Sequence, residues 1–139
     1  MKTNHKFHKC IALLFFLLIS SIAEAAKPIG NLIDVPVPTS LDGTYPSLDE
    51  VKRAIISGCK IKGWSPELID QNKFKASIWV RDKHFAEIEI RFTDEKYSII
   101  YLSSKNLDYN AKKQKIHRNY NKWVILLSQA IQSEFGVTH

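Results

Sequence analysis

The chain has 139 residues and a formal net charge of +6 at pH 7, with 45% hydrophobic residues and two cysteines. This length allows one compact domain with a single core and excludes a large multidomain architecture. The cysteine count excludes a disulfide-rich scaffold. The chain also has neither a C-x-x-C nor an H-E-x-x-H motif, so the sequence predicts no metal site and no cofactor.

Residues 1–25 have the pattern of a cleavable secretory signal peptide. Three lysines and no acid precede an apolar run over residues 11–19, and an A-x-A cleavage site ends at Ala25. The apolar run is shorter than the roughly 20 residues of a membrane-spanning helix. Ala26, and not a cysteine, follows the cleavage site, which argues against a lipid anchor. We therefore expect export to the periplasm or beyond, with no transmembrane segment after cleavage.

Residues 26–46 predict an extended arm, because four prolines and two glycines interrupt this stretch. Leu32, Ile33, Val35 and Val37 are candidates for an edge strand that pins the arm to the domain, with proline blunting that edge. The single globular domain is expected over residues 47–139.

A helix is predicted to begin after Ser47, because Ser47 and Glu50 match the S-x-x-E capping box. An apolar stripe follows at helical spacing, and Gly63 is the expected stop. Cys59 lies on that stripe and is interpreted as a small buried hydrophobe. The alternative, a reactive thiol, would need a lowered pKa and an accessible position.

Three strands are predicted over residues 73–81, 84–92 and 96–103, because the first two alternate strictly between apolar and polar residues. Short polar turns separate them, as in an antiparallel meander. A fourth short strand near residues 64–69 is left open.

The last predicted element is a long helix over residues 110–135, with a broad apolar stripe and a stop at Gly136. The sequence thus predicts an α+β fold, in which an antiparallel meander of three to four strands has an N-terminal helix and a long C-terminal helix packed on one face.

Positive charge is concentrated in residues 105–122, a segment with six basic residues and one acid, Asp108. We define the basic cluster as the five basic residues in the C-terminal part of this segment, which are Lys112, Lys113, Lys115, Arg118 and Lys122. On the predicted helix the last three would share one side, near the end where the helix dipole disfavours cations. Helix stability does not explain that placement, so the cluster is a candidate site for an anionic partner. The alternative is a solvated face that keeps the protein soluble.

Trp79 and Phe85 should point away from the core and lie side by side across a tight turn. Exposed aromatics beside charges suggest a contact with a protein or glycan. The favoured alternative is that the N-terminal arm covers both rings. Glu87 and Glu89 share this face as neighbours on one strand, whereas a glycosidase needs two carboxylates facing each other across a cleft.

Polar residues surround a histidine near the start of the last helix: Asn106, Asp108, Tyr109 and His117. Such a group can form a small binding pocket, but residues of these types more often cap helices and satisfy turns. A hydrolase or transferase using His117 with Asp108 or Tyr109 is an alternative function. No catalytic motif supports it, so a non-enzymatic protein is favoured.

Aromatic and turn residues form one pattern over about residues 50–135: G-W at Gly63, Y-S-I-I-Y from Tyr97, S-x-N-L from Ser104 and I-H-x-x-Y-N-x-W-V from Ile116. This pattern resembles small exported proteins of proteobacteria, many of them lipoproteins and largely uncharacterised. The resemblance implies a shared α-β-β-β-α fold and carries over no catalytic residue. The chain departs from the lipoprotein members in lacking the lipidation cysteine.

These observations predict an exported, non-enzymatic binding or envelope-accessory protein of a Gram-negative bacterium. Its partner would be a protein, a glycan or an anionic membrane surface. Nucleic acid fits the charge, but export disfavours it. A secreted effector that acts on a host is a further alternative.

Overall fold

The computed structural model describes residues 26–136. The signal peptide predicted over residues 1–25 lies outside these residues, as does the segment 137–139. Within residues 26–136, no helix is both long enough and apolar enough to cross a membrane.

The described part of the chain forms two helices and seven strands. The helices are α1 (Leu48–Ile61) and α2 (Arg118–Glu134). The strands are, in chain order, β1 (Lys27–Pro28), β2 (Leu32–Pro36), β3 (Ser65–Asp70), β4 (Lys73–Val80), β5 (His84–Phe92), β6 (Lys96–Lys105) and β7 (Lys115–Ile116).

The main sheet is antiparallel and has five strands in the order β2-β6-β5-β4-β3. Strands β3 to β6 are neighbours both in sequence and in space, so they form the predicted meander, with β3 as the fourth strand that the sequence left open. Strand β2 comes from the N-terminal arm and pairs with the outer edge of β6. The α+β fold is therefore confirmed, and the arm supplies the edge strand for which its apolar residues were candidates.

Helix α1 begins as its sequence predicts. The Ser47 N–H donates to the Glu50 carboxylate at 2.7 Å, and the Glu50 N–H donates to the Ser47 hydroxyl at 3.3 Å. These two bonds are the reciprocal pair of a capping box. After the C-cap residue Lys62, Gly63 adopts a φ of +79°, which a residue without a Cβ takes most readily. The cap and the stop that the sequence indicates thus both form.

Both helices cover the same face of the main sheet. One buried cluster joins the inward-facing residues of the strands to the apolar stripes of α1 and α2. The hydroxyls of Tyr97 on β6 and Ser128 on α2 share a hydrogen bond of 2.6 Å, which links sheet and helix inside the core. The two helices approach closely at Gly58, where a Cβ would lie 2.8 Å from the backbone nitrogen of Ile131.

The last helix begins at Arg118, so the prediction that it starts near residue 110 is wrong. Asn110 and Lys115 exchange two backbone hydrogen bonds of 2.8 and 3.2 Å, and the Asn110 side chain accepts the Lys113 N–H at 2.9 Å. Asparagine side chains compete with helix formation in this way. The segment closes as a hairpin with Gln114 at a φ of 49°, and its second arm, β7, pairs with β1.

The start of the N-terminal arm is fastened to α2 by one side chain. The Asn121 amide donates to the Pro28 carbonyl at 2.8 Å, and its oxygen accepts the Gly30 N–H at 2.8 Å. Gly30 permits this approach, because a Cβ there would lie 3.2 Å from the Asn121 side chain. The arm between β1 and β2 therefore packs against the domain.

Candidate functional site

The basic cluster lies on consecutive elements, not on one helix. Lys112 and Lys113 occupy the hairpin, Lys115 lies in β7, and Arg118 and Lys122 lie on α2. All five side chains are exposed. Among the described residues, none of the four lysines has a carboxylate within 4.0 Å. No ion pair within this part of the chain therefore neutralises the four lysines, and their charge is available to a partner.

The start of α2 is an unfavourable place for positive charge. Arg118 is the first helical residue, and the first turn of α2 contains no acid. Cations near a helix N-terminus interact unfavourably with the helix dipole, whereas an anion bound there is stabilised. The predicted helical face that includes Lys115 is wrong, but Arg118 and Lys122 do lie one turn apart. The electrostatic reasoning thus applies to these two residues.

His117 has a structural role as the N-cap of α2. The ring Nδ1 accepts the backbone N–H of Asn119 at 3.2 Å, and the backbone N–H of His117 donates to the Leu107 carbonyl at 2.8 Å. One nitrogen of the ring thus serves the helix end, as the capping alternative predicts. Proton transfer by His117 in an enzyme stays a prediction.

The polar residues grouped with His117 make local contacts. Asn106 has a φ of 56°, and its side-chain amide donates to the Lys83 carbonyl at 2.7 Å. Its own carbonyl accepts a hydrogen bond from His84 Nδ1 at 2.7 Å. Asp108 has a φ of 50°, and the ring of Tyr109 packs at a tilt of 37° against Tyr101, with centroids 4.6 Å apart. Turn geometry and ring packing describe the local contacts of these residues, and a shared binding pocket with His117 stays a prediction.

A pair of aromatic side chains lies on the open face of the main sheet, where Trp79 is exposed and Phe85 is half-buried. Trp79 on β4 and Phe85 on β5 occupy opposite positions of the ladder, with ring centroids 5.0 Å apart. The expectation that the arm covers them is wrong. Its strand β2 pairs with β6, and β5 separates β6 from β4 in the sheet. The side chain of Trp79 consequently remains 54% exposed.

A lysine completes this arrangement, and sequence reasoning missed it. Lys105 pairs with Phe85 across β5 and β6, and its Nζ lies 5.7 Å from the Phe85 centroid and 5.9 Å from the Trp79 centroid. This is the distance range of a cation–π contact. We call Trp79, Phe85 and Lys105 the aromatic platform. The sequence prediction ended the last strand at residue 103, whereas β6 extends to Lys105, so Lys105 was not placed opposite Phe85.

Beyond the aromatic platform the open face carries mostly polar side chains, with Ile100 opposite Glu89 as an apolar exception. The row beside the aromatic platform consists of Ser77, Glu87 and Ser103, all partly exposed and aligned across three strands. Further along β5, Glu89 forms ion pairs with Lys73 and Arg91. Glu87 and Glu89 thus share one sheet face, as predicted.

Cys59 is fully buried among the apolar residues of α1, and burial raises the pKa of its thiol to about 12. A protonated thiol inside the core is unreactive. The prediction that Cys59 is a buried core residue is therefore confirmed.

Two further features were not predicted. Tyr101, Tyr109 and Tyr120 form an aromatic cluster between β6 and α2, in which burial raises the pKa of Tyr120. A groove of about 760 Å³ also runs between α1, the loop before it and the end of α2, with Tyr45 and Phe135 among its walls. Both depend on contacts between distant parts of the chain, so no local sequence pattern indicates them.

Within residues 26–136, no group of three or more His, Cys, Asp or Glu side chains is arranged to hold a metal ion. Comparison of the chain with protein-family models, with curated proteins and with solved structures finds no match.

Proposed function

We propose that the protein is an exported, non-enzymatic binding protein of the bacterial envelope that contacts an anionic partner through the basic cluster. The observation that carries the proposal is the placement of five exposed cations on the hairpin, β7 and the start of α2, whose lysines have no acidic partner among the described residues. Export is supported by the signal-peptide pattern of residues 1–25 and by the resemblance to small exported proteobacterial proteins.

The electrostatic setting of the basic cluster favours a binding role over a solubilising one. A solubilising charge serves equally well anywhere on the surface. Two of these charges, on Arg118 and Lys122, instead lie in the first turns of α2, where the dipole disfavours them in the absence of a ligand. A bound anion would reverse this unfavourable interaction, because it would face both the cations and the helix N-terminus.

The proposal is tested with the triple variant Lys112→Gln/Lys113→Gln/Lys122→Gln. Each of these side chains is exposed, so the fold should tolerate the changes. The protein is expressed from the full sequence, and its binding is measured to phosphatidylglycerol vesicles, polygalacturonate and polyglutamate. These probes represent an anionic membrane, an anionic polysaccharide and an acidic protein.

We expect tight binding to at least one probe and a loss of about 100-fold in the triple variant. The figure follows from about 1 kcal/mol for each lysine near an anionic surface, with 1.4 kcal/mol for each factor of ten. The salt dependence should also flatten between about 0.01 M and about 0.1 M NaCl, where the Debye length falls from about 30 Å to about 10 Å.

The matched control is Arg53→Gln/Lys60→Gln/Lys62→Gln, which removes the same charge from exposed positions in and just after α1. It should bind the same probe nearly as well as the unmodified protein. Equal losses in the two triple variants would mean that only net charge matters. Unchanged binding in the first variant, or no binding to any probe by the unmodified protein, would overturn the proposal.

A further inference from the structure

We infer that the aromatic platform binds the sugar ring of an anionic polysaccharide, so that the partner of the basic cluster is a glycan carrying carboxylate or sulfate groups. The inference rests on the proposed function, because it names the class of partner for the same region of the surface. It depends on three features of the open sheet face and on the way this face joins the basic cluster.

The first feature is the exposure of a large aromatic surface. Folding buries most large apolar side chains, yet Trp79 remains 54% exposed on the face that the helices do not cover. Phe85 lies beside it in a tilted arrangement, with an interplanar angle of 46°. The faces of such rings attract polarised C–H groups and cations, because their π-systems are electron-rich. The weakly polar face of a sugar ring presents C–H groups of this kind.

The second feature is the cation above these rings. The Lys105 ammonium faces both aromatic side chains, and among the described residues it has no ion pair. Its flexible stem allows it to move toward a carboxylate or sulfate while the sugar occupies the ring faces. The aromatic platform therefore complements a charged sugar better than a neutral one.

The third feature is the polar row next to the aromatic platform. The side chains of Ser77, Glu87 and Ser103 are partly exposed and form no hydrogen bond within the described part of the chain. Two hydroxyls and a carboxylate are suited to the hydroxyl groups of a glycan. These three side chains can donate and accept hydrogen bonds with several hydroxyl groups of one sugar ring, an arrangement that a flat layer of lipid phosphates does not offer. The open face therefore favours a glycan over a membrane.

The aromatic platform and the basic cluster meet at one backbone junction. Strand β6 ends at Lys105, and two residues later the Leu107 carbonyl accepts the His117 N–H at 2.8 Å, directly before Arg118. Asn106 ties the same junction to the β4–β5 turn through hydrogen bonds with Lys83 and His84. A polymer with a charge on each unit that follows this junction from one region to the other would bind more tightly than a single unit.

The test compares Trp79→Ala with Ile33→Ala, a control at a 60% exposed apolar residue of the edge strand β2. Binding of the full-chain proteins is measured by calorimetry with polygalacturonate, alginate and dextran sulfate, and with phosphatidylglycerol vesicles. Thermal unfolding shows whether each variant folds as the unmodified protein does. For at least one of the polysaccharides, we expect Trp79→Ala to weaken binding about tenfold or more, and Trp79→Phe to retain part of the affinity. Ile33→Ala should bind normally.

The outcomes separate this inference from the proposed function. If the triple lysine variant loses polysaccharide binding while Trp79→Ala keeps it, the basic cluster is the site and the aromatic platform is not. If Trp79→Ala weakens binding to vesicles and none of the three polysaccharides binds, the occupant is a lipid surface and the glycan inference is wrong. If only polyglutamate binds, the proposed function stands with an acidic protein as partner, and the inference again fails.

Discussion

The close contact between the two helices makes Gly58→Ala the sharpest structural test of the fold. Gly58 lies on the buried face of α1, opposite Ile131 of α2. An added Cβ would lie 2.7 Å from Ile131 Cγ1, 2.8 Å from its backbone nitrogen and 2.9 Å from its Cα. The side-chain atom can move by a rotamer change, but the two backbone atoms can move only if the whole helix shifts.

The expected effect of Gly58→Ala is the difference between two opposing contributions. Overpacking of a tight core costs about 1–3 kcal/mol, and contact with backbone atoms places this site near the upper end. Alanine is favoured over glycine inside a helix by roughly 1 kcal/mol. The net loss should therefore be about 2 kcal/mol. For a domain of this size, about 4 °C per kcal/mol corresponds to a fall of about 8 °C in the melting temperature.

Urea unfolding followed by circular dichroism measures this difference, with an unchanged m value showing that the transition remains comparable. Ser57→Ala at the neighbouring position is the control, because it raises helix propensity without adding atoms at the Gly58–Ile131 contact. Its stability should stay within about 0.5 kcal/mol of the unmodified protein. If Gly58→Ala proves as stable as the unmodified protein or more so, the helices do not approach as closely as the structure shows.

Two further predictions concern titratable side chains. Cys59 should resist thiol reagents in the folded protein at about pH 8, because a pKa raised to about 12 reduces its thiolate about 1,000-fold and burial blocks access. In urea, one thiol should react if the signal peptide has been cleaved, and two should react if Cys10 is retained. Rapid labelling without denaturant would contradict the buried position of Cys59. Hydrogen bonds from Ser47 lower the pKa of Glu50, so the stability that its carboxylate contributes is complete above its unfolded pKa and lost as the pH falls through the lower folded value. The difference in melting temperature between the unmodified protein and Glu50→Ala should thus shrink from about pH 6 to about pH 3, and a constant difference would show that this carboxylate does not stabilise α1.

Local sequence patterns predict the central elements well. In β4 and β5 the period of two assigns each side chain to the correct face, because both strands lie inside the sheet and only one face is covered. The capping box at Ser47 places the start of α1 within one residue. In these elements the local preference and the tertiary packing agree, so either would give the same answer.

The start of α2 shows where local patterns fail. Ile116, Tyr120 and Val124 have helical spacing and are all buried, which is why one continuous helix was predicted. Ile116 instead reaches the core from β7, held by its pairing with Lys27. A buried residue satisfies the hydrophobic pattern whether a helix or a strand carries it. The contact that decides between helix and strand is the pairing with Lys27, almost 90 residues away in the sequence. The spacing of apolar residues within a local segment carries no information about it.

The aromatic platform depends on two kinds of information. The pairing of Trp79 with Phe85 follows from the short turn between their strands and was predicted. Whether the arm covers them depends on which edge of the sheet it takes. The contact with Lys105 further requires the bulge in β6, since a register shift between Glu87 and Ile88 sets which residue of β6 faces Phe85. No local sequence pattern in this chain indicates which edge of the sheet the arm takes or where the bulge in β6 lies.

The anchoring contacts of the hairpin and of the start of α2 support the proposal that the basic cluster binds a partner. The hairpin that carries Lys112 and Lys113 is closed by two backbone bonds and held to the domain by the buried Ile116. Directly after it, the His117 amide is fixed to the Leu107 carbonyl. The backbone beneath the cations is therefore ordered before any partner binds, so the free energy of binding is not reduced by the entropic cost of ordering it. Lysines on a flexible tail would keep a protein equally soluble, so their attachment to so many fixed points favours recognition as their role.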